Sequence, residues 1–178
     1  YSGTRPYQAV PFQWSDHILQ SDGRLDHHEY LCNSDKDPRE EFTETLISSL
    51  NLGGSIFIYA NYEKRIVKEL SEFLPRFESK LQAVSDRFKD LQAIIKQHYY
   101  HLKFYGSFSI KNVLPALLPE MDYKSLKIQE GSQASFEYLR MIDPATPQDK
   151  KEQIKNDLLT YCGLDTLAMV RVREALLR

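Results

Sequence analysis

The sequence predicts an α/β fold, and three features carry that prediction. An uninterrupted apolar run, SIFIYA, leads straight into a helical pattern; two strand-like runs near the start flank a tight turn; and a long helical pattern closes the chain. Apolar residues without polar alternation suit a strand covered on both faces, so Ser55 to Ala60 is read as a central strand.

VPFQWSDHIL (10–19) alternates and carries aromatic residues, Asp22-Gly23 reads as a turn, and LDHHEYLC (25–32) supplies a second run, which together predict a hairpin. As strand neighbours, His27 and His28 fall on opposite faces. Asp37 before Pro38, with Glu40 following, marks a helix start, and Phe42, Leu46 and Leu50 give that helix an apolar stripe up to Leu52-Gly53-Gly54. Beyond SIFIYA the chain turns at Asn61 into YEKRIVKELSEFL, where Ile66, Leu70 and Phe73 share a face until Pro75 ends the helix. Residues 77–100 read as helical with a break near Asp86. Short helices are expected around VLPALL and SQASFEYLRMI, and Thr146-Pro147 with Asp149 caps a final helix running towards Arg178.

A length of 178 residues, 42% hydrophobic and 27% charged, is ordinary globular composition and predicts one domain over residues 1–178. No apolar run approaches the roughly 20 residues of a membrane helix. Cys32 and Cys162 are too few for a disulfide framework and match no metal or redox spacing, which favours a reducing cytoplasm. With a net charge of −2, nucleic-acid binding requires a local basic patch.

In the last helix Ile154, Leu158, Asp165, Val172 and Leu176 fall on one side, and Tyr161 lies one turn before Asp165. A carboxylate in an apolar stripe needs a hydrogen-bond donor, a cation or a metal, and pairing with an arginine or a helix end explains it as well as catalysis does. Glu63 stands just beyond the carboxyl end of the SIFIYA strand, where ligand sites of open α/β sheets gather; it also suits the positive end of a helix dipole. Two converging acids favour Mg²⁺ or Mn²⁺.

YANYE (59–63) resembles the second motif of the DEDD 3′–5′ exonucleases, and YCGLDT (161–166) the third motif in its tyrosine-type version. GTRPYQ, PFQW, DPRE, YGSFSIKNVLP and LLTYCGLDTLAM together resemble a bacterial ribonuclease-H-like domain of unknown function, over nearly the whole chain. The resemblance implies a ribonuclease-H-like mixed sheet flanked by helices. It also implies two Mg²⁺ or Mn²⁺ ions, Glu63 and Asp165 as metal ligands, Tyr161 as the group that positions the attacking water, and Asn61 shaping the site. Asp90 matches a supporting acid on a later strand. Two departures stand out: Glu63 replaces the usual aspartate, and the first motif, Asp-x-Glu on the first central strand, is absent. The chain, which opens at Tyr1 in the loop-like YSGTRP, is therefore expected to be an inactive piece of a longer, multidomain parent.

KQHYYHLKFYGSFSIK (96–111) offers Lys103 and Lys111, with Lys96, for phosphates, and Tyr105 among several aromatics for stacking on bases of single-stranded DNA or RNA; such aromatics equally form cores. His98 and His101, without a third ligand, are weak candidates for zinc. The alternative to a nuclease is a catalytically dead nucleic-acid-binding or protein-interaction module.

Overall fold

The computed structural model describes residues 9–50 and 53–177. GTRPYQ and Leu52 lie outside the described residues. Two strand pairs and seven α-helices make a mixed α/β molecule among these residues. The contacts divide it into two compact units, one formed by residues 1–45 and 123–166 and the other by 46–122 and 167–178.

In the first unit, β1 (Gln13–Leu19) pairs antiparallel with β2 (Leu25–Leu31), in a register that sets Trp14 opposite Tyr30 and His17 opposite His27. The turn between them needs Gly23 at φ 85°, and the Asp22 carboxylate accepts the Arg24 amide at 2.9 Å. Helix α1 (Arg39–Ser49) begins where Asp37 accepts the Arg39 amide at 3.1 Å. The buried Arg39 guanidinium turns back onto the same carboxylate, which lowers the Asp37 pKa, the side-chain hydrogen bonds being the main cause. Trp14 donates to Thr45 Oγ1 at 3.0 Å, Tyr30 meets Phe42 edge to face, and Phe12 stacks on Tyr138 of α6 (Gly131–Ile142). The final helix, α7 (Gln148–Leu176), contributes Ile154, Leu158 and Tyr161 to the burial of this unit.

In the second unit, β3 (Ile56–Ile58) runs parallel to β4 (Phe88–Asp90), joined through α2 (Tyr62–Phe73) and α3 (Glu78–Ser85). Ile66, Val67 and Leu70 form the buried face of α2 and Leu81 and Val84 that of α3. Phe73, expected on the buried stripe, is the last residue of the helix and is 39% exposed. The break near Asp86 holds β4, a strand the sequence pattern hid inside a helical stretch. The SIFIYA run has β4 as its one partner strand among the described residues, so the expected central position is not seen there. Gly53 and Gly54, both at φ 79°, carry the chain away from α1, and the Arg87 guanidinium takes the carbonyls of Leu50, Gly53 and Gly54. Helices α4 (Leu91–His98) and α5 (Ile110–Leu117) complete the unit with the end of α7, where Arg173 lies over Phe57.

Among the described residues no helix is long and apolar enough to cross a membrane, and both cysteines are free thiols.

Candidate functional site

In the first unit the phenol and carboxylate predicted to share a face of the last helix do so. Tyr161 is 8% exposed and close enough to Asp165 to feel the charge of its carboxylate. Burial first, and the Asp165 charge second, hold the Tyr161 phenol well above its ordinary pKa, so it is a neutral donor at physiological pH. A second phenol, absent from the sequence expectations, donates to Asp165: Tyr123 Oη reaches Oδ1 at 2.7 Å, and its ring meets that of Tyr161 edge to face. The donor that the half-buried carboxylate needed is thus a tyrosine 42 residues away in sequence. Next to it, burial pushes the Cys162 thiol up to about 12, with the Asp165 and Glu29 charges adding to the effect.

One turn further, α7 meets the hairpin through hydroxyls and imidazoles. Thr166 Oγ1 lies 2.8 Å from His17 Nδ1 and 2.9 Å from Ser15 Oγ, which lies 3.0 Å from His27 Nε2. The His17 and His27 rings stack at 4.4 Å, and a Cβ in place of the Gly163 hydrogen would come to 3.5 Å from the His27 ring. On the opposite hairpin face His28 pairs with Asp16 at 3.0 Å, so neighbouring His27 and His28 do point to different sides.

In the second unit the carboxyl ends of β3 and β4 hold the other expected residues. Ala60 adopts a left-handed conformation at φ 68°, a strained state for a residue with a side chain. Its amide is held by Asp90 Oδ1 at 3.2 Å, and the same oxygen caps α4 by accepting the Ala93 amide at 3.1 Å. Asp90 therefore serves as a double cap at two chain turns, with Lys64 3.9 Å away. Asn61 is exposed and gives its carbonyl to the Arg65 amide, and Glu63 sits half-buried in the first turn of α2. Tyr59 donates to the Phe108 carbonyl at 2.7 Å, and Gln92 Nε2 donates to the same oxygen at 3.1 Å. Between them opens a depression of about 510 Å³ lined by Tyr59, Gln92, Lys96 and residues 106–110.

Lys103 and Tyr105 stand exposed in the segment that leads into its 106–110 wall, and Lys111 is half-buried in the first turn of α5. His98 ends α4 whereas His101 is extended, so these two histidines do not share a helical face.

Glu63 belongs to the second unit and Asp165 to the first. Among the described residues no three His, Cys, Asp or Glu side chains gather closely enough to hold a metal ion. With Asp165 already accepting the Tyr123 phenol, the residues present do not by themselves fit a two-ion centre, whose hard cations need six or so oxygen ligands.

No curated protein and no solved structure matches this chain. Residues 1–109 match the family model described as domain of unknown function (DUF2779), a description that names no activity and gives no link to exonucleases, and the chain belongs to that family.

Proposed function

We propose that the chain forms part of a metal-dependent 3′–5′ exonuclease-like domain of ribonuclease-H-like type, which processes single-stranded DNA or RNA in the cytoplasm as one module of a larger protein. The observation that carries this reading is the Tyr161–Asp165 pair. A buried phenol stands one helical turn before a carboxylate whose charge helps to keep it protonated, the Tyr-x-x-x-Asp spacing of the tyrosine-type exonuclease motif. In this reading Tyr161 positions a water and Asp165 and Glu63 are acids of the catalytic centre. Mg²⁺ or Mn²⁺ would supply the charge stabilisation of phosphodiester hydrolysis. The acids among the described residues fall short of holding such ions alone.

One observation favours a catalytically silent nucleic-acid-binding or interaction module instead. The Tyr123 hydroxyl occupies an oxygen of Asp165 that a metal ligand would offer, which makes the carboxylate a structural acceptor.

Degradation of labelled single-stranded DNA and RNA by the full-length protein with Mn²⁺ or Mg²⁺, beside Asp165→Asn, separates the two readings. The nuclease reading expects a loss on the order of a hundred-fold or more in the variant. Equal cleavage by both proteins removes Asp165 from catalysis, and no cleavage by either leaves the silent module.

A further inference from the structure

Between Asp90 and Glu120 the sequence contains no acid, while it places Lys96, Lys103, Lys111, His98 and His101 in that stretch of a chain whose net charge is −2. The second unit folds much of this stretch into one exposed surface. Phe104, 1% exposed, anchors it, packing near Tyr99, His101 and Phe108. Around that anchor Tyr100 is 72% and Tyr105 83% exposed. Aromatic side chains are normally put to use in a core, so two held this far into solvent call for an occupant.

Tyr105 is also strained: it lies in the left-handed region at φ 51°, followed by Gly106 at φ 76°. That turn is fixed from inside, by the Ser107 amide on the Phe104 carbonyl at 2.9 Å, and it leaves the tyrosine exposed one residue before Gly106, where the wall of the depression begins. The cations there are available. Neither Lys96 nor Lys103 forms an ion pair among the described residues; Lys96 bonds only to the Gln92 carbonyl oxygen, at 2.8 Å. No acid lines the depression; burial and, second, the charge of Asp90 raise the pKa of Tyr59 in its wall, and Asp90 Oδ1 is committed to two backbone amides. At about 510 Å³ the depression falls within the roughly 300–1,000 Å³ of small-ligand sites.

We propose that this surface is a docking site for single-stranded nucleic acid: one nucleotide enters the depression, Tyr105 gives a stacking face to a base, and Lys96 and Lys103 take neighbouring phosphates. Stacking on tyrosine is sequence-tolerant and lysine recognises phosphate as a point charge, so the site takes DNA and RNA alike. The proposal deepens the nuclease reading by naming where the strand is held, and it also stands under the silent-module reading.

Fluorescence anisotropy of labelled oligothymidylate and oligouridylate with the full-length protein in EDTA tests it, because no metal-dependent cleavage occurs there. Failure then concerns docking, whereas failure of the nuclease reading shows only in the Asp165→Asn comparison. Tyr105→Ala is expected to weaken binding about ten-fold and Tyr105→Phe to restore it. Lys96→Gln and Lys103→Gln are each expected to lower the slope of log affinity against log salt by about 0.7. All four changes are on exposed side chains, and circular dichroism checks that the fold is kept. Absence of binding, or binding indifferent to these variants, overturns the site. Displacement of the oligonucleotide by polyglutamate at equal charge would assign the surface to an acidic protein partner instead, which also overturns it.

Discussion

In the first unit Thr166 meets both Ser15 and His17, Ser15 meets His27, and Asp165 takes the Tyr123 hydroxyl, so the polar side chains of α7 and the hairpin satisfy one another. In the second unit Lys96 and Lys103 stand without an ion pair among the described residues, Tyr105 is held outward in a strained conformation, and an open depression lies beside them. A network whose members are paired internally contributes stability and register, whereas a strained exposed aromatic costs the fold free energy and hydrated lysines stay open to an anion. The contrast separates a motif that looks catalytic from a surface that looks occupied by a ligand.

Substitutions sharpen that contrast. The largest effect is expected in the first unit at Asp37, where Asp37→Ala leaves the buried Arg39 without its carboxylate and should destabilise by about 2–3 kcal/mol in denaturant unfolding. The lone tryptophan, Trp14, bonded to Thr45 in the same unit, reports the loss by fluorescence. Because the Asp37 pKa is lowered by folding, its contribution is present above the ordinary carboxylate range and fades as pH falls through the lowered value. An unchanged unfolding midpoint would mean that the Arg39 pair adds nothing.

Tyr123→Phe should cost about 1.5 kcal/mol, the scale of a hydrogen bond to a charged group, if Asp165 is a structural acceptor. A cost near zero would weaken the view of the first unit as internally satisfied. Alkaline stability gives a third check. Cys162 and Tyr161 keep protons in the folded state that the unfolded chain releases, so their contribution is full below the ordinary thiol value and is lost as pH rises above about 8.5. Cys162→Ala should flatten the first part of that decline in unfolding midpoints measured against pH. The smallest expected change has the opposite sign: Tyr105→Gly should stabilise by about 0.5 kcal/mol, since glycine accepts a left-handed turn that tyrosine resists. Destabilisation there would show that the exposed ring is a packing element after all.

The sequence made the locally encoded elements readable. The alternating runs on either side of Asp22-Gly23, the Asp37-Pro38 helix start, the stripe of α2 and the long α7 all declare themselves within a few residues. What stayed hidden depends on partners distant in sequence. Strand β4 is three residues long, and Phe88-Lys89-Asp90 reads as strand only once Ile56–Ile58 lies beside it. Tyr123 lies in a stretch with no regular pattern, and nothing in the sequence ties it to Asp165. Arg87, which collects the carbonyls after α1, looks like any surface arginine until the two left-handed glycines are in place. Lys103 and Tyr105 were legible as candidates from composition alone, but the exposure and strain that argue for a ligand are properties of the folded chain.

The Asp90 carboxylate joins the turn at Ala60 to the start of α4, and one oxygen serves both amides. Those two amides should therefore open together, with matched hydrogen-exchange rates that shift in parallel in Asp90→Asn. Any rearrangement of the YANYE turn would be transmitted to the helix carrying Gln92 and Lys96, making that single acid a latch through which occupancy of one loop is felt by the other.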